Sequence, residues 1–265
     1  MRKTTFYTTL IAAIEDIEEH GYDHERIEYW LVLLIMMAEQ TFKDRSKRSA
    51  RDFLTDQARK YSSERNIAIT HKGLPIRYFS EFTNHAQNEL NARIAMTDML
   101  IAAVRDEALD KMTRGFIGWA SSVSHLTPSA TDHVKLRKRL NISDLSVMER
   151  RILFDQCDKM KATLGAIIAE RYGALAAVWH SRWREPEYNY REDHKSIDEV
   201  IMFMPDTHEM RLGLFVPGLP LVTDQSLPGM EPNCKCYFTY LYGLHSIPDI
   251  YLTEKGKVAK VLSGY

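Results

Sequence analysis

Up to about residue 185 the apolar positions recur at helical spacing. Between Thr4 and Glu19, Phe6, Leu10, Ala13, Ile14 and Ile17 fall on one face of an amphipathic helix. His20-Gly21-Tyr22-Asp23 supplies a stop and a start: glycine suits the position after a helix, and aspartate can cap the next one. That second helix is expected to reach Phe42, turn basic over Lys43 to Arg51 and continue to Tyr61. Its Tyr29 to Ala38 run is about half the length a bilayer span requires, and predicts a helix buried on most faces. A long helix is expected over Ser80 to Met112, with Leu90, Ile94, Thr97, Ile101, Val104, Ala108 and Met112 in one stripe. Arg114 to Thr127 interleaves Gly, Ser and Thr with large apolar residues and fits a hairpin, an ordered loop or a break between helices. A last helix is expected from Ser143 to His180.

After Pro186 the texture changes. Short β-prone runs (Val200 to Met204, Leu212 to Val216, Cys236 to Tyr242, Val258 to Leu262) alternate with Pro- and Gly-containing turns. The expected class is therefore α+β. A largely helical region over 1–142 precedes a long helix and a small C-terminal α+β module with short strands over 143–265.

A net charge of −1 argues neither for a general nucleic-acid binder nor for a membrane-surface protein. The basic Met1-Arg2-Lys3 is followed by polar residues and not by the apolar core of a secretory leader. The 3 cysteines (Cys157, Cys234 and Cys236) are an odd number with two almost adjacent, which is no disulfide framework and points to a reducing compartment.

Cys234-x-Cys236 is the most specific chemical feature. Two thiolates with imidazoles suit tetrahedral zinc, and His194, His208 and His245 are candidate partners. On an extended strand the two thiols are expected to point to opposite faces, so one metal shared by both needs a turn there, which Pro232-Asn233 could supply. The other reading makes the thiols small hydrophobes packed in a strand or turn. His194, beside Glu192 and Asp193, can be a ligand, a general base or a surface histidine. No Gly-rich phosphate loop, His-Glu-x-x-His or nucleophile elbow is present. Two basic runs offer phosphate contacts or solvated helix faces: Lys43, Arg45, Lys47, Arg48 and Arg51, and Lys135, Arg137, Lys138 and Arg139.

From the last helix onward the order of features resembles the head-morphogenesis (Mu F-type) family of tailed-phage minor capsid proteins. The helix Phe154 to Ala177 leads to Trp183 or Trp179, then to Arg191-x-x-His194. A Pro-rich approach, Leu219 to Gly229, then leads to Asn233-Cys234-Lys235-Cys236. Lys235 stands where the family more often has Arg, and Phe154-Asp155-Gln156 lies where Arg-Thr-Glu is common. The resemblance implies a minor head protein bound to portal and capsid components, with phage DNA as a further partner. It would act in head assembly or in genome packaging and delivery, including DNA ejection. Its place would be the capsid interior or portal vertex, and the host cytoplasm during assembly. Arg191, His194, Cys234 and Cys236 would hold the module together, around zinc or without it, and catalysis would not be required. Two other readings stand beside this one: a nucleotide- or nucleic-acid-directed enzyme using the His/Cys cluster, and a DNA-contacting adaptor using the basic runs.

Overall fold

The computed structural model describes residues 5–45, 50–74, 84–123, 135–136, 138–140, 142, 145–223 and 227–263. Among them the helices are α1 (Phe6–His20), α2 (His24–Arg45), α3 (Ala50–Tyr61), α4 (Glu64–Thr70), α5 (Asn84–Ala120), α6 (Leu145–Arg171), α7 (Glu192–Ser196), α8 (His208–Arg211) and α9 (Glu254–Leu262). The strands are β1 (His71–Lys72), β2 (Ala176–His180), β3 (Ile201–Phe203) and β4 (Tyr237–Leu241). The class is α+β, mainly helical in its N-terminal part, with a small sheet formed largely by the C-terminal part. No helix of the described residues is long and apolar enough to cross a membrane.

By contacts the chain divides into two units, Met1–Ala50 with Thr97–Ile152, and Arg51–Met96 with Leu153–Tyr265. In the first, α1 ends where Gly21 takes φ 78, and α2 begins where Asp23 Oδ1 accepts the Arg26 N–H at 2.8 Å. Leu10, Ile14 and Ile17 of α1 pack in one core with Leu34 and Ala38 of α2 and Met112, Phe116 and Ala120 of α5. The Tyr29 to Ala38 run, expected to be buried on most faces, is open on one: Tyr29, Val32 and Met36 are more than half exposed. Leu34 and Ala38 lie in the core, and Trp30, Leu31, Ile35 and Met37 pack against it. At Arg114 to Thr127 the helix continues to Ala120. Gly115 serves close packing there and not a turn, since a Cβ on it would sit 2.8 Å from the Leu140 side chain.

In the second unit α3, α4, the start of α5 and α6 enclose Leu54, Ala58, Ile67, Leu90, Ile94, Met160 and Leu164. The sheet runs in the order β1-β4-β2-β3, with β1 parallel to β4 and the other pairs antiparallel. The helix expected to reach His180 stops at Arg171. Gly173 adopts φ 68 and the Ala174 N–H donates to Ala169 O at 2.8 Å, a closure that ends a helix. The Ala-rich run beyond it is a fully paired central strand. Val258 to Leu262, expected as a strand, lies in α9, which Thr253 caps by accepting the Gly256 N–H at 3.1 Å. Leu212 to Val216 contributes only an isolated bridge, Phe215 to Leu252.

Side chains alternate across this sheet with the period of two that a strand dictates. Ala177, Trp179, Met202, Phe238 and Tyr240 face one core, which also holds Ala169 of α6 and both Cys234 and Cys236. Ala176, Phe203 and Leu241 face the other, with Leu214, Phe215, Leu244, Ile247 and Leu252.

Candidate functional site

The site begins with a turn. Gly229 takes φ 80 and lies so close to α6 that a Cβ would meet Asp158 O at 3.1 Å. Its N–H donates to Cys234 Sγ at 3.4 Å. Asn233 follows Pro232 in the left-handed region, φ 58, which asparagine tolerates better than most side chains. The Asn233 N–H donates to Asp155 Oδ1 of α6 at 2.7 Å, fastening the turn to that helix. The chain then extends into β4, and residues two apart on an extended run share a side. Cys234 and Cys236 therefore sit together on the Trp179 and Phe238 side, and the turn expected at Pro232-Asn233 precedes the pair instead of bending it.

The second half of the site comes from the segment after β2. The α7 helix carries His194, buried, whose Nδ1 lies 3.5 Å from Cys234 Sγ and 3.6 Å from Cys236 Sγ. Trp179 packs edge-on against its ring, centroids 5.3 Å apart. Trp183 instead donates to Asp198 Oδ2 at 2.8 Å, so Trp179 is the aromatic that meets the site. On the other side of the imidazole, Nε2 is 3.7 Å from Glu231 Oε1. Arg191 completes that side: its Nε is 2.8 Å from Glu231 Oε2, and its Nη2 donates to Pro232 O at 3.2 Å. Tyr188 bridges the flanks of Cys234, accepting from the Lys235 N–H at 3.0 Å and donating to Asn233 O at 3.3 Å. Lys235 itself stands over the Tyr188 ring, 5.0 Å from its centroid.

A hydrogen bond from Cys236 holds the Cys234 thiol well below its usual range, and the same interaction with burial pushes Cys236 up. Cys157 belongs elsewhere, in the core between the helices, where burial pushes its thiol up.

Of the residues singled out from sequence, His194, Cys234, Cys236 and Arg191 converge. The ligand atoms of His194, Cys234 and Cys236 all lie within 4.8 Å of one another, the one such group of three among the described residues. His208 opens α8 and His245 lies in a 3-10 turn, and neither joins the group. Glu231, Tyr188, Asp155 and Gly229 were not anticipated as site residues. The local signals were an acid three positions before Cys234 and a glycine after Pro228; for Tyr188 there was none.

Beside the cluster a cleft of about 290 Å³ is lined by Cys236, Lys161, Arg182, Lys235, Asn66 and Asp158 among others. Burial pushes the Asp158 carboxyl up. Of the basic runs, Lys43, Arg51, Lys135, Lys138 and Arg139 are exposed. Lys135 and Arg139 line a separate cavity with Gly115 and Trp119. Lys47, Arg48, Arg137 and the side chain of Arg45 lie outside the described residues.

Comparison with family models, with curated proteins and with solved structures gives no match to this chain.

Proposed function

We propose that this chain is a minor head protein of a tailed phage, associated with the portal and capsid and acting in head assembly or genome packaging and delivery. One observation carries the reading. The sequence elements that resemble the Mu F-type family, Arg191-x-x-His194 and Asn233-Cys234-Lys235-Cys236, are about 40 residues apart and meet in one site, with His194, Cys234 and Cys236 buried. On this reading the cluster fastens two loops of a binding and positioning module. Its work is mechanical: Arg191, Tyr188 and Asp155 hold the backbone of residues 232–235 so that the surface around it keeps one shape. Co-purification of the tagged chain with portal protein and its presence in filled heads are the expected results. Its absence from virions after gentle disruption would count decisively against the reading.

A second reading, an enzyme acting on a nucleotide or nucleic acid, draws on the cleft where Lys161, Arg182 and Lys235 gather beside Cys236. Absence from particles together with turnover of a phosphate-bearing substrate would favour it over the first.

A further inference from the structure

We infer that His194 Nδ1, Cys234 Sγ and Cys236 Sγ bind one zinc-class divalent ion that staples α7 to the segment entering β4. The inference stands on donor geometry and is independent of the phage reading. Zinc–sulfur and zinc–nitrogen bonds of about 2.3 and 2.0 Å at tetrahedral angles separate the donors by about 3.6 Å. Cys234 and Cys236 stand 3.5 and 3.6 Å from His194 Nδ1. Both nitrogen–sulfur edges therefore match a tetrahedral site, the two sulfurs lie within 4.8 Å of each other, and the ion needs only one further ligand.

The surroundings fit as well. A metal-bound histidine commonly gives its second nitrogen to a carboxylate, which fixes its tautomer and ring plane. Here Nε2 faces Glu231, and Arg191 holds that carboxylate from behind. The Gly229 N–H points at Cys234 Sγ, the kind of donor that steadies a metal-bound thiolate. Charge balance favours the same conclusion. Two thiolates and one dication form a neutral centre, which a buried site accepts far more readily than an unpaired charge. Packing alone would explain two thiols among Trp179, Met202 and Phe238. It gives no reason for an imidazole nitrogen directed at both sulfurs with a carboxylate behind it.

The test uses the full chain, expressed with zinc supplied, dialysed and analysed for metal. About one zinc per chain is expected, together with a thiolate-to-metal charge-transfer band when cobalt replaces it. Cys234→Ser and His194→Ala should lose the metal, while Cys157→Ser, whose thiol lies in a different core, should keep it. Because the first two variants remove buried groups, Glu231→Gln provides a variant on a half-exposed side chain. Its zinc affinity should fall 10–100-fold in a competition with a chelating dye. A wild-type chain that holds no zinc and gives no cobalt–thiolate band overturns the inference. So does zinc that persists in a Cys234→Ser/Cys236→Ser double variant.

Discussion

Asn233 shows how one backbone position decides the site. With φ 58, the residue must tolerate the left-handed region while presenting its N–H to Asp155. Alanine there should cost about 1 kcal/mol and glycine distinctly less, because only the former carries a Cβ into a disfavoured conformation. Urea unfolding midpoints measure both, and equal losses would remove backbone strain as the reason for asparagine. The thiols and His194 were readable because each is chemically pointed, and Arg191 because it stands three positions before His194 in the Arg-x-x-His spacing of the family the chain resembles. Glu231, Tyr188 and Asp155 were not readable. A carboxylate or a phenol in a polar stretch looks like any solvated side chain, and only the fold turns Asp155 and Tyr188 toward Asn233 and Lys235, and Glu231 toward Arg191 and His194.

At the scale of elements, length decided what could be read. The stripe from Leu90 to Met112 lies in α5, whose period repeats often enough to be unambiguous. Ala176–His180 is five residues of buried strand, and an apolar run that short has no period to separate it from the end of a helix. α9 carried a β-branched face but obeys its Thr253 cap. The two-residue strand β1 had no pattern at all, yet it places His71 in the core, stacked 5.0 Å from Tyr240 and with Nδ1 2.7 Å from Tyr242 Oη. Burial pushes this imidazole down to about 3. The folded state therefore keeps His71 neutral while the unfolded chain takes up a proton below about 6.5. The stabilisation is complete above that pH and falls by roughly 1.4 kcal/mol per unit as the solution is acidified toward 3. Replacing His71 with Phe should flatten that part of the stability-against-pH curve; an unchanged slope between about 6 and 4 would show that another group sets it.

At the scale of the whole molecule, the sequence placed all of 1–142 in one helical region, whereas Arg51–Met96 cluster with Leu153–Tyr265. Nothing in local pattern could report this, because periodicity says that a face is buried but not against what. It follows that a fragment of residues 143–265 lacks α3, α4 and β1, and leaves Met160, Leu164 and Tyr240 without partners from that stretch. Its thermal unfolding should be broad and non-cooperative; a sharp transition matching that of the intact chain would contradict the division. The same interleaving matters at the ribosome. At 5–20 residues per second, β4 is made on the order of ten seconds or more after α4 and β1 have been synthesised. Leu54, Ala58 and Ile67 likewise wait roughly 5–20 s for Met160 and Leu164 of α6, so the early product of translation is the form of this protein most in need of a chaperone.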